Sequence, residues 1–280
     1  MRHELSTVLG VDFTSAPSKR KPIVVARGHL VAARLTVTCI EKLDNFAAFD
    51  TLLAEPGPWV GGFDLPFGLP RELVETLGWP TTWRELVSHA QNIGKDAFKA
   101  ALNGVREARP MGARYIPRRG DAAAGSSSPM KLVNPPVGLM FFEGAPRIAR
   151  TGMSVIPCAP TDDSRIALEG YPGFIARQFT KTSYKKDGPE GRTAARRSNR
   201  EIIVNGVLST SGFTGGLNVE MPESLRLICA DDGSGDALDA VLCAAQAAMA
   251  LRAYQSGDTS YGIPKTADLI EGWIATVPGS

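Results

Sequence analysis

The chain has 280 residues, 43% of them hydrophobic and 21% charged, with a formal net charge of +2. That balance supplies a sizeable core and excludes global disorder, while a charge so near zero names no class of partner. The length fits one large domain with an insertion, or two small ones.

Cys39, Cys158, Cys229 and Cys243 lie far apart and form no CxxC pair, so neither a disulfide framework nor a zinc site is expected. No basic-then-apolar leader opens the chain and no run of ~18 apolar residues interrupts it, which predicts a cytoplasmic protein with no membrane partner.

In chain order, Ser6 to Phe13 (STVLGVDF) is a buried strand that carries an isolated carboxylate, Asp12. Ile23 to Ala26 and Leu35 to Ile40 are two short strands that continue a meander. Apolar residues at 43, 46, 47, 49, 52 and 53 predict an amphipathic helix from Leu43 to Ala54. It leads into Pro58 to Pro70, PWVGGFDLPFGLP, where a strand from Trp59 is stopped by Pro66 and Pro70 and Asp64 sits at its carboxyl end. Gly61 and Gly62 leave room for another element to pass close. Strand ends in open α/β sheets are where sites assemble, so Asp64 is either a functional carboxylate or the cap of the following turn.

Residues 71–130 read as an insertion of helices followed by a flexible loop. Met111 to Pro129 lacks any period and predicts a mobile segment with few apolar anchors, whose Arg114, Arg118 and Arg119 are solvated or reach phosphate. Val137 to Ile148 is a short helix. Arg165 to Glu169 (RIALE) repeats the grammar of a strand ending in an acid before a proline turn, and Pro172 to Phe179 opens a helix with proline in its first turn. Between Lys181 and Arg200 seven basic residues face Asp187 and Glu190. This is a solvated helix face or a set of backbone contacts, with Lys185, Lys186, Arg196 and Arg197 the candidates. Cys229 to Leu251 holds a turn of capping residues and then a helix from Gly235 or Asp236 that is apolar nearly all round. Asp236 lies in its first turn, where the helix dipole favours a carboxylate whatever its role. Asp239 shares that face and would be buried, so a cation or donors should compensate it.

If Asp12, Asp64, Asp236 and Asp239 converge, they repel one another unless a hard divalent cation lies between them. Mg²⁺ or Mn²⁺ takes oxygen ligands and can activate water in phosphodiester cleavage. His3, His29 and His89 lie away from these motifs.

Asp12 on a first strand followed by a meander, FDLPFGLP at Asp64, LEGYP at Glu169 and DALDA at Asp236 to Ala240 together resemble a family of proteins described as predicted nucleases of RNase H-like fold. The resemblance runs from about Leu9 to Leu251. It implies one α/β domain over residues 1–280, an RNase H-like mixed five-stranded sheet flanked by helices, with residues 71–130 as the helical and flexible-loop insertion. It implies Asp12, Asp64, Asp236 and Asp239 as metal-binding catalytic acids for Mg²⁺ or Mn²⁺, no organic cofactor, and nucleic acid as partner. Glu169 is then a fifth site residue or the anchor of its turn. Two alternatives accompany this nuclease reading: a non-catalytic nucleic-acid-binding or structural module, and a nucleotide-dependent phosphotransferase. The last is disfavoured because Thr14 to Arg20 has no glycine with which to cradle phosphate.

Overall fold

A computed structural model describes residues 6–209 and 216–279. Its elements in chain order are β1 (Ser6–Asp12), β2 (Ile23–Val31), β3 (Arg34–Leu43), α1 (Phe46–Leu53), β4 (Trp59–Asp64), α2 (Arg71–Thr76), α3 (Trp83–Ile93), α4 (Lys95–Ala108), α5 (Arg119–Ala124), α6 (Val137–Arg150), β5 (Ser154–Ile156), β6 (Arg165–Glu169), α7 (Pro172–Phe179), α8 (Ala194–Leu208), β7 (Asn218–Glu220), α9 (Glu223–Asp231) and α10 (Asp236–Gln255). A 3₁₀ turn, Pro189–Arg192, precedes α8.

The strands form one mixed sheet of seven, in the order β5-β6-β4-β1-β2-β3-β7, where five were expected. β1 runs antiparallel to β2 and β2 antiparallel to β3, while β1/β4, β4/β6, β5/β6 and β3/β7 are parallel. The added strands β5 and β7 lie at the two edges and have three residues each, too few to show a period in sequence. β2 and β3 are longer than the short strands expected, because polar residues such as Arg27 and His29 continue the pairing past the apolar run.

Side chains alternate across the sheet, and the two faces feed two cores. Val8, Val24, Ala26, Val60 and Leu168 face α7 to α10. Leu9, Val11, Ile23, Val25, Phe63 and Ala167 face α1 to α4 and α6, where Phe49 lies between Phe13 and Phe63 at ring separations of 5.2 and 6.4 Å. Burial on both faces explains why β1 and β4 read as near-continuous apolar runs.

α10 is the one helix among the described residues long and apolar enough to cross a bilayer, and it lies against β1, β2 and β4 as the centre of the first core. Its contact with the sheet is backbone to backbone. A Cβ added at Gly10 would lie 2.0 Å from the Ala240 carbonyl oxygen, and one at Gly62 would lie 2.4 Å from that of Cys243. The room anticipated at Gly62 is therefore filled by α10, whose Ala240, Ala244 and Ala247 keep the approach close.

Residues 71–108 carry the helices α2, α3 and α4, but the loop after them is anchored rather than loosely tethered. Ile116, Arg118, Asp121, Ala124 and Met130 are all buried, and residues 119–124 make α5. Arg118 holds this segment down, donating to Asp121 at 3.0 and 2.8 Å, to Glu169 at 2.8 and 2.5 Å, and to the Glu271 carbonyl at 2.8 Å.

Candidate active site

β1 and β4 end side by side, and their parallel register pairs Asp12 with Asp64. The alternation that sends Val8 and Val60 toward α10 sends Asp12 and Asp64 to the same face. α10 begins opposite them. Gly235, with φ of 81°, caps it in the left-handed region, and a Cβ there would lie 2.7 Å from the Lys185 side chain. Asp232 accepts from the Ala237 amide at 2.9 Å, so the first turn is capped by Asp232 and leaves Asp236 and Asp239 for other roles.

The structure brings Asp12, Asp64, Asp236 and Asp239 within mutual electrostatic reach. Burial pushes the Asp12 carboxyl well above the ordinary range, and the charges of Asp236, Asp239 and Asp64 add to the rise while Lys185 opposes it. Burial likewise pushes Asp64 up to about 7, with Lys185 pulling it back and Asp239, Glu169 and Asp236 adding to the rise. Asp236 is raised to about 6, by burial first and then by Asp232 and Asp239. Asp12 and Asp64 have no hydrogen-bond donor among the described residues, whereas the fully buried Asp239 is compensated twice. Tyr184 donates its hydroxyl to one oxygen at 2.7 Å and the Lys185 ammonium pairs with the other. Burial opposes the charge of Lys185, but Asp239, Tyr184, Asp12 and Asp64 outweigh it and raise the ammonium well above its usual range.

Tyr184 and Lys185 stand on a strap between α7 and the 3₁₀ turn, and Arg200 of α8 fastens it. The buried Arg200 guanidinium donates to the carbonyls of Tyr184 at 2.7 Å, Gly191 at 3.1 Å and Ala230 at 2.8 Å. Burial lowers its pKa from the ordinary value, the expected sign for a cation held by carbonyls alone. The basic run is thus divided. Lys185 belongs to the acid cluster and Arg200 to the core, while Lys186 pairs with Glu190 and Arg197 with Glu201 and Asp231. Arg196 donates to the Glu190 carbonyl at 2.6 Å.

Glu169 lines the same cleft as Asp64 and its charge reaches that carboxyl, but it is held apart from the four aspartates. It pairs with Phe63 across β4/β6, and the strand alternation turns it to the opposite face, where Arg118 grips both its oxygens and the Phe67 amide donates at 2.9 Å. It anchors the FDLPFGLP turn that carries Asp64. Nor is Arg118 a solvated or phosphate-seeking arginine: its side chain is 3% exposed and wholly engaged.

Beside Asp64 a cleft of about 670 Å³ opens between the end of β4, the start of α6, α7 and the strap. Asp64, Tyr184 and Lys185 line it, which connects one edge of the acid cluster to solvent. Among the described residues no group of three or more His, Cys, Asp or Glu side chains is placed so that it could hold a metal ion as it stands. Asp12, Asp64 and Asp236 nonetheless offer the hard oxygen donors that suit Mg²⁺ or Mn²⁺, with no donor of the described residues satisfying the first two. His29 lies in β2 and His89 in α3 against Trp79, and His3 lies outside the described residues. Comparisons of the chain with protein-family models, curated proteins and solved structures give no significant match.

Proposed function

We propose that the protein is a Mg²⁺- or Mn²⁺-dependent phosphodiesterase acting on nucleic acid, and that the five strands β3-β2-β1-β4-β6 with α10 form an RNase H-like core. One observation carries this reading. Asp12 and Asp64 end adjacent parallel strands in register, on the face where α10 presents Asp236 and Asp239, and neither strand-end carboxylate has a donor among the described residues. Like charges within electrostatic reach destabilise the folded protein, and such an arrangement is characteristic of sites that bind a cation or move a proton.

Asp12, Asp64 and Asp236 would hold the metal, which when bound supplies Lewis-acid polarisation of a phosphoryl oxygen and a water of lowered pKa. Asp239 has a second task. Tied to Tyr184 and Lys185, it fixes the Lys185 ammonium beside Asp64, where the cation favours an incoming phosphate and restrains the charge of the acids. Arg200 preserves that placement by holding the Tyr184 carbonyl. The anchored turn at Pro66 and Phe67 keeps Asp64 at the cleft's inner edge.

A second reading, in which the cluster is purely structural, draws support from the same Asp239–Tyr184–Lys185 ties. A panel of phosphodiester substrates assayed with Mg²⁺, Mn²⁺ and EDTA, with melting curves run alongside, separates the two. The expected outcome is metal-dependent hydrolysis lost in Asp64→Asn, and a metal-induced stabilisation of the parent that approaches ~2.7 kcal/mol at a hundredfold excess over Kd and largely disappears in the variant. Absence of both hydrolysis and any metal-induced shift in the parent would establish the structural reading.

A further inference from the structure

The shape and charge around the cleft restrict what can reach Asp64. Its volume of about 670 Å³ falls within the roughly 300–1,000 Å³ of sites that enclose a small molecule. The lining is chemically divided. Leu65, Val137 and Met140, from the β4 end and α6, are apolar, whereas Ser127, Thr182 and Lys181, from the loop after α5 and the strap, bring hydroxyls and an ammonium. Lys181 has no ion pair or hydrogen bond among the described residues. Apolar surface beside hydroxyls and a cation suits a heterocycle joined through a sugar to a phosphate.

A second, independent observation concerns the cations a duplex would require. Binding along a double helix depends on several unpaired Lys and Arg that displace counterions from successive phosphates. Here the basic run near the site is largely neutralised within the protein. Lys186 pairs with Glu190, Arg197 with Glu201 and Asp231, and Arg200 is buried against three carbonyls. Arg118, on the other side of the cleft, is saturated by Asp121 and Glu169.

We infer that the cleft accepts one nucleotide unit, as a free nucleoside monophosphate or as the end of a single strand, and excludes continuous duplex. The phosphate lies toward Lys185 and Asp64, and the nucleoside lies between the apolar side chains of α6 and the hydroxyls of the strap. The orientation rests on the phosphodiesterase reading, while the occupancy of the cleft does not.

Calorimetric titration of the full chain with adenosine and uridine monophosphates, a short single strand, and a duplex closed by hairpins at both ends tests this, in Mg²⁺ and in EDTA. Ser127→Trp and Thr182→Trp, on separate segments and outside the acid cluster, fill the cleft from two directions. Melting curves check that each is folded, and a variant that fails to fold leaves the other to decide. The monophosphates and the single strand are expected to compete for one site, and the closed duplex to bind at least about tenfold more weakly, a difference of ~1.4 kcal/mol. Each Trp variant should lose about tenfold or more in nucleotide affinity while keeping the parent's metal-induced rise in Tm. If the single strand binds but the free monophosphates do not, the strand end is the source; the converse result identifies free nucleotide. Nucleotide binding that is sensitive to both Trp variants in a parent lacking any metal-induced shift would uphold the cleft assignment and sink the metal reading. Closed duplex bound as tightly as single strand, or Trp variants that bind nucleotide like the parent, would overturn the inference.

Discussion

Replacing Arg118 by Met should be among the most damaging single changes outside the hydrophobic core. The substitution approximately preserves volume, so the cost is electrostatic rather than steric. Arg118 makes five hydrogen bonds, two to Asp121, two to Glu169 and one to the Glu271 carbonyl, and the three charged side chains are at most 3% exposed. Its removal leaves two buried carboxylates facing each other with no cation, a situation that costs about 3–5 kcal/mol. At roughly 2–4 °C per kcal/mol this lowers Tm by on the order of 10 °C. Burial already raises Glu169 against the pull of Arg118. Without the arginine its folded-state pKa rises further above the unfolded value, so the deficit grows as pH rises above the unfolded value and shrinks as acid supplies the missing proton. Adding Glu169→Gln to Arg118→Met removes one stranded charge and should recover part of the loss. Urea unfolding followed by tryptophan fluorescence reports all three proteins, since Trp59, Trp83 and Trp273 are buried. A loss below ~1 kcal/mol for Arg118→Met at pH 7 would refute the claim that this ion cluster anchors the 111–130 segment.

Two further outcomes follow from the sheet and the acids. With EDTA present, Asp64→Asn should be more stable than the parent above pH 7 and should lose that advantage by about pH 4, because a carboxyl raised to about 7 holds in the folded state a proton that the unfolded chain has released. The gap between about 4 unfolded and about 7 folded corresponds to an upper value of about 4 kcal/mol, read as the difference in melting curves across that range, and a variant less stable than the parent at pH 8 would contradict the repulsion. Gly10→Ala should cost 3 kcal/mol or more, roughly, or prevent folding, since its methyl would meet the α10 backbone at 2.0 and 2.2 Å, whereas Gly104→Ala on α4 meets nothing within 4 Å and should be neutral or slightly stabilising by circular dichroism melts.

The parts of the fold legible in sequence are those where one local rule decides. β1 and β4 are apolar runs closed by an acid, and proline bars continuation after β4, so their ends and the positions of Asp12 and Asp64 could be read directly. α10 declares itself by being apolar all round, with its capping turn just before it. What could not be read depends on partners distant in the chain. Asp239 had to be compensated, but nothing near Tyr184 and Lys185, 55 and 54 residues upstream, marks them as its partners. Arg200, which puts them in place, sits in a basic run that looks like solvated surface. Arg118 was obscured in the same way: its two acids lie 3 and 51 residues away, in a stretch without a period, so a buried anchor reads as a mobile loop. A signal was present in Glu169, since strand parity relative to its pairing with Phe63 sends it away from α10, but using it requires the β4/β6 register.

The charge count of the cluster separates structure from function more sharply than any one of its residues. Asp239 alone forms a complete structural motif, with a phenol on one oxygen, an ammonium on the other and Arg200 behind them. Deleting Asp12, Asp64 and Asp236 from that motif would remove three carboxylates that burial and mutual repulsion hold above their ordinary pKa, and the folded state would gain stability from their absence. The sheet goes further and holds them together, because the glycines at positions 10 and 62 let α10 approach the strands on which Asp12 and Asp64 lie. A structural role accounts for Asp239 and leaves the other three as cost. On the proposed reading a bound cation would offset that cost, and the acids would then sit at strand ends beside an open cleft because local rules of stability give way there to function.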